Sequence, residues 1–502
     1  MSRSPRLASG AVLLTVGGLV TMVLPACSEP AGRAAPITTT TSTSSTSTST
    51  TSSTPAALAI GASDAGDPLT PGAGNGGFDV DSYDVHLTRP TTGPDITATV
   101  TIAAHATQDL SQFDLDLHGL TVDGVTVDDA AATSVRFGGE LVITPAAQVH
   151  RGAAFTTTVD YHGKPAAFDD NPELLNLGWT TAGQDSFVLS EPRGAFTFMP
   201  SSDHPSDKAM FHFTITAPSQ LTVVANGTGS KVGEAAGSTT WRFDPTEPMA
   251  TYLVQVVIGD FTVEASVGPH GLPIRTVFDP DTPESARPAL RRIGEIADYF
   301  EPLFGPYPFD VAGVVVADGA TGFSLETQTL IIMPLNYFAG PDPLPPAKAT
   351  VILAHEFAHQ WFGDAITPSR WSDIWLNEGF ATYAEWLWQD HDGGTPLPRQ
   401  VQDSYDLAKS LRVADGAVLS PKPDKIFSLN EYDGAGIVLH ELRLELGDAT
   451  FFDLLREWVA RYRYGNVTTE QFEALATEKA GRDLSQFFKN WLDSTDLPPL
   501  RM

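Results

Sequence analysis

His355, Glu356 and His359 form the pattern H-E-x-x-H, and Glu378 follows with eighteen residues between it and His359. A spacing of four on a helix stacks two side chains on one face about one turn apart, so both imidazoles can reach one cation. Imidazole nitrogen and a carboxylate oxygen are donors that tetrahedral zinc accepts. Three protein donors leave one position open, the arrangement of a hydrolytic zinc site rather than a structural one. Glu356 sits beside His355 without the spacing of an equal ligand, placed instead to take a proton from water at the ion.

Two helices must present these groups. Residues 350–363 read as an apolar helix; Pro368 is expected to break it, and Ser372 or Asp373 to cap a second helix from near Ile374. Upstream, Leu290, Ile293, Ala297 and Phe300 recur at helical period, and Val314-Val315-Val316 and Leu330-Ile331-Ile332-Met333 read as short buried strands. From Phe78 to about Phe261 the period is two. Tyr83, Val85 and Leu87 alternate with polar residues, as do Ile96, Ala98, Val100 and Ile102, and Phe113, Leu115 and Leu117. Asp123-Gly124 reads as a hairpin turn. The expected fold class is α+β, with an antiparallel β saddle or sandwich domain over 78–265 and a catalytic domain with terminal helices over 266–502.

A chain of 502 residues is too long for one core. With 42% hydrophobic and 18% charged residues it is globular in composition, and a net charge of −31 excludes nucleic acid as a partner. Arg3 and Arg6 precede an apolar run from Ala11 to Leu24, too short to span a bilayer comfortably, so residues 1–26 read as a signal peptide. The run ends Leu24-Pro25-Ala26-Cys27, which resembles a bacterial lipoprotein signal and implies lipidation of Cys27, the sole cysteine. Every residue from Thr38 to Thr54 is Ser or Thr, so residues 27–77 are expected to form a flexible tether. The expected location is outside the cytoplasm on the cell membrane, or secreted if Cys27 is not modified.

The stretch His355-Glu356-Phe357-Ala358-His359-Gln360-Trp361-Phe362-Gly363-Asp364, followed by Trp371-Ser372-Asp373-Ile374-Trp375-Leu376-Asn377-Glu378-Gly379-Phe380-Ala381-Thr382-Tyr383, resembles the aminopeptidase N family of gluzincins. The resemblance implies a saddle-like β domain on a thermolysin-like domain, one zinc ion held by His355, His359 and Glu378, and Glu356 as general base. It also implies an oxyanion-stabilising tyrosine at Tyr432, although Gly434 and Ala435 stand where the family has a basic residue and glycine. Glu326, in Phe323-Ser324-Leu325-Glu326-Thr327-Gln328, matches the glutamate of the family's Gly-x-Met-Glu-Asn motif and would take the substrate's α-ammonium group. Glu191, in Ser190-Glu191-Pro192-Arg193-Gly194-Ala195, would assist from the β domain, whereas His440 reads as structural. Relatives carry a large helical domain after the catalytic region, and ending near Leu492 is expected to leave the cleft more open.

The function implied is hydrolysis of the first peptide bond of peptides with a free amino terminus, by a monomer. The alternatives are a zinc endopeptidase, another hydrolase on the same site, and a non-catalytic surface binding lipoprotein.

Overall fold

The alternating segments build an eight-stranded sheet. Its order is Thr228–Ala235, Ser238–Asp244, Met210–Pro218, Phe78–Thr88, Ile96–Ala106, Ala154–Gly163, Thr121–Val127 and Ala130–Ala131. Tyr83, Val85 and Leu87 lie opposite Ile102, Val100 and Ala98, and this register puts all six on the buried face. The structure, a computed structural model, describes residues 59–168, 177–319 and 323–501. The signal segment 1–26, Cys27 and the Ser/Thr run lie outside the described residues.

A three-stranded sheet (Phe113–Asp116, Glu140–Thr144, Thr133–Phe137) and a four-stranded sheet complete the β domain. The four-stranded sheet runs Thr222–Ala225, Val256–Gly259, Asp185–Leu189, Gly178–Ala182, and its last hairpin leads into the loop bearing Glu191. A separate mixed sheet of Thr262–Val267, Pro273–Phe278, Ala312–Ala317 and Ile331–Pro334 belongs with the helices. The change of sheet therefore falls between Gly259 and Thr262, and the sequence-derived boundary at 265 cuts an edge strand of the catalytic sheet. Ile293, Ala297 and Phe300 are buried on the helix Ile293–Phe304, with Leu290 just before it.

Four sequence expectations change. Asp123-Gly124 is no turn; it interrupts the register of Thr121–Val127 against Ala154–Gly163 as a β-bulge, another setting that suits glycine in a strand. The reversal comes at Asp128-Asp129, both with positive φ. The first ligand helix spans Pro346–Ala358 and ends at His359, before Pro368. The second spans Trp375–His391 after a 3-10 turn at Trp371–Asp373, and no side chain caps it. Asp373 instead accepts from Thr469 Oγ1 at 2.8 Å. Finally, residues 59–77, which the sequence places in the tether, pack against the β domain: Gly61 N donates to Gln112 O at 2.9 Å, and Gly74 N to the Asp116 carboxylate at 3.0 Å.

The helices Trp375–His391 and Ala435–Leu446 meet closely at small residues. A Cβ on Gly379 would come within 2.5 Å of the Ala435 Cβ. This gives Ala435 its place, since the helix that follows Tyr432 can approach the zinc-ligand helix only where both surfaces are small. Among the described residues no helix is long and apolar enough to cross a membrane.

Candidate active site

A helix ending at Ala358 puts His355 and His359 on one face, and the first turn of Trp375–His391 brings Glu378 to them. Both imidazole Nε2 atoms point at one oxygen: Glu378 Oε2 lies 3.2 Å from that of His355 and 3.4 Å from that of His359. Donors at about 2.0–2.1 Å from a tetrahedral zinc ion stand about 3.3 Å apart, so the three are spaced for the ion. The opposite ring nitrogens are engaged by acceptors. His355 Nδ1 lies 3.2 Å from Glu385 Oε2, and His359 Nδ1 bonds Phe362 O at 3.1 Å and the side-chain carbonyl of Asn377. With an ion bound, each Nδ1 would thus carry the hydrogen and each Nε2 would present its lone pair.

The electrostatics call for a cation. Burial opposes protonation of His355 and His359, yet the hydrogen bonds His355 donates to Glu378 and Glu385 lift it well above its ordinary range. For His359, the Glu326 and Glu378 charges outweigh burial and raise it to about 9. Glu378 is held down to about 2 by both imidazoles against its own burial. A divalent ion supplies the positive charge that protons otherwise bring to this cluster.

A cavity of about 190 Å³ adjoins the donors, lined by Glu191, Glu326, His355, Glu356, His359, Glu378 and Tyr432, with Phe323, Ser324, Tyr337 and Phe427. Glu326 follows Leu325, which bridges Ile332 of the strand Ile331–Pro334, and Gln360 Nε2 ties the Glu326 backbone carbonyl to the end of the zinc helix at 2.8 Å. Glu191 reaches in from the β domain. Asn377 Nδ2 joins them, donating to Glu326 Oε1 at 3.2 Å and Glu191 Oε1 at 3.5 Å. Only one amide orientation satisfies this network, with carbonyl to His359 and NH2 to the carboxylates. Gly363, with φ +125°, makes room: a Cβ there would lie 2.2 Å from Asn377 Oδ1.

Burial raises Glu191 well above the carboxylate range and the nearby Glu326 charge adds to this; burial likewise raises Glu326. Glu356 rises to about 8, chiefly by burial, with both imidazoles opposing. Tyr432 sits in one π turn, Asn430–Gly434, and its ring stacks on His355 at 5.9 Å between centroids. Burial and then the Glu378 charge push its hydroxyl well above 10, so it stays a donor. His440 lies elsewhere, with Nδ1 3.3 Å from Tyr383 OH, and burial lowers it to about 4.

Sequence reasoning missed Asn377 and Glu385 as partners of the zinc-binding imidazoles. The signal for Glu385 was present, because a residue seven beyond Glu378 returns to the same helix face.

Two family models match, the peptidase family M1 domain over residues 289–491 and the peptidase M1 N-terminal domain over residues 80–253. The chain belongs to the M1 peptidase family. An M1 zinc metallopeptidase from Deinococcus radiodurans has the same fold, with a TM-score of 0.77 at 29% identity, covering 87% of this chain and 99% of that one. A two-domain M1 zinc metallopeptidase variant bound to L-arginine gives 0.78 at 29% identity, with the same coverage. Among curated M1 relatives, aminopeptidase N of Streptomyces lividans is 26% identical over 453 residues, 84% of this chain and 51% of its own length. Aminopeptidase 2 of Candida albicans is 24% identical over 424 residues, 78% of this chain and 44% of its own. This M1 chain thus spans about half the length of these curated relatives.

Proposed function

We propose that this M1 chain is a zinc aminopeptidase that removes the first residue of peptides with a free amino terminus. The observation that carries the reading is the pair of buried carboxylates, Glu191 and Glu326, bridged by Asn377 beside the zinc donors. Two like charges this deep are costly unless a cation joins them, and a substrate ammonium group supplies one. Glu326, Glu356 and His359 each offer an atom within 4.8 Å of the others. An ammonium held at Glu326 therefore lies within about one residue's reach of Glu356, which favours cleavage at the first peptide bond.

His355, His359 and Glu378 would hold the ion, which when bound supplies Lewis acidity toward water and the scissile carbonyl. Glu356 takes a proton from the attacking water and returns it to the leaving amine. Tyr432 donates from its hydroxyl to the developing oxyanion. Glu191 and Glu326 accept from the ammonium and fix the register. M1 zinc metallopeptidase variants bound to L-arginine and to a Tyr-Ser-Ala substrate support the same substrate class here. An endopeptidase would need chain to continue past the residues that occupy this ammonium position.

The test compares an aminoacyl chromogenic amide with its N-acetylated form, before and after chelation. The expected result is hydrolysis of the free amine only, abolished by chelator and restored by zinc. Equal cleavage of both substrates would sink the aminopeptidase reading while sparing the zinc one.

We also propose that Cys27 anchors the enzyme to the outer side of the cell membrane, on the support of the Leu24-Pro25-Ala26-Cys27 motif and the Ser/Thr run. Cys27→Ser is expected to shift the protein from the membrane fraction to the medium or soluble fraction. An unchanged membrane share would overturn the anchor.

A further inference from the structure

The segment 59–77 does more than connect. It bridges Gln112 at Ile60 and then folds back on itself, with Ala65 N bonded to Ala73 O at 2.9 Å and Gly76 N to Ala62 O at 2.8 Å. At its tip the Asp67 carboxylate is buried. Asp67 Oδ1 accepts from Leu69 N at 2.9 Å, while Oδ2 accepts from Trp371 N at 2.7 Å and lies 3.3 Å from His204 Nε2. Those partners belong to different domains. His204 is in the β-domain loop that also carries Glu191, and Trp371 opens the turn leading into the helix of Asn377 and Glu378.

The contacts on the Glu191 side form a chain. Gly72 O accepts from Arg193 Nη1 at 3.0 Å. Gly74 N and Asp203 N share the Asp116 carboxylate, at 3.0 and 2.8 Å. Asp203 in turn accepts from Gly194 N at 2.9 Å and Phe196 N at 3.2 Å, just beyond Glu191. Gly74 itself, with φ +69°, presses on His204, whose Cβ would stand 2.5 Å from an added Cβ. On the other side the Trp371 ring lies between Tyr252 and Phe427, and Phe427 lines the cavity.

We propose that residues 66–76 are a clasp in which Asp67, joined to His204 and to the Trp371 amide, holds the Glu191 loop against Asn377 and so sets the affinity for the substrate ammonium group. This rests on the aminopeptidase reading. Asp67 touches no substrate; it is a positioning residue acting through Glu191.

The test uses the full chain and steady-state kinetics on the free and N-acetylated amides, with wild type, Asp67→Ala, Asp67→Asn, Glu191→Gln and the double variants. Asp67→Ala is expected to raise KM for the free amine about tenfold with kcat within about threefold and zinc content unchanged. Asp67→Asn keeps one carbonyl for the Trp371 amide and should raise KM about threefold; it carries the test if the alanine variant does not fold. In the Glu191→Gln background either change should move KM by less than about twofold, since a residue acting through Glu191 has nothing left to position. Multiplying effects in the double variants, or a fall in kcat or in thermal stability with KM unchanged, would overturn the clasp alone. A wild type that cleaves both amides equally would overturn the proposed function and the clasp with it.

Discussion

Glu356→Gln is expected to lower kcat by about 10²- to 10⁴-fold, the range general-base catalysis contributes, with KM and zinc content close to wild type. The substitution keeps shape and polarity while removing the group that accepts a proton. Zinc content should hold because the converging donors are His355, His359 and Glu378, whose separations already suit the ion without Glu356. KM should hold because Glu191 and Glu326, rather than Glu356, meet the Asn377 amide. Single-turnover hydrolysis and metal analysis on the same preparation separate the two quantities. Wild-type rates in the glutamine variant would remove Glu356 from the mechanism; a parallel loss of zinc would make it a ligand.

The zinc donors were legible in the sequence because helical periodicity is local. His355 and His359 share a face whatever the rest of the chain does, and Glu378 needed only a second helix nearby. The π turn that presents Tyr432, and the bridge from Asn377 to two carboxylates, are long-range facts. Asn377 and Glu191 are 186 positions apart and meet through the packing of separate domains. Residues 59–77 show the same limit from the other side. Their Gly- and Pro-containing composition suits a tether, yet glycine also serves where backbones approach closely, as Gly74 does against His204. Composition reports what a segment can bury on its own and misses what a neighbouring fold offers it. Asp123-Gly124 failed for a related reason, since the pair suits a bulge as well as a turn and only the register of the partner strand distinguishes them.

The amine-binding carboxylates predict opposite effects on affinity and stability. Glu326→Gln is expected to raise KM for free-amine substrates about 30- to 4 × 10³-fold, because truncating one partner of a buried charge pair costs about 2–5 kcal/mol and each 1.4 kcal/mol is tenfold. Cleavage of an N-acetylated peptide amide, already slow, should not fall further. In the unliganded protein the same carboxylate is still a net burden: burial outweighs the His359 charge and the Asn377 hydrogen bond that favour its ionised form, and the Glu378 charge adds to the cost. Removing its charge relieves that repulsion, so the thermal midpoint should stay level or rise by a few degrees in the metal-free protein. The two readouts together discriminate sharply. A structural glutamate would lose stability and leave KM alone, whereas one kept for an ammonium ion loses affinity without losing stability. A lower midpoint with unchanged KM would therefore reject the assignment of Glu326 and leave the zinc chemistry at His355, His359 and Glu378 untouched.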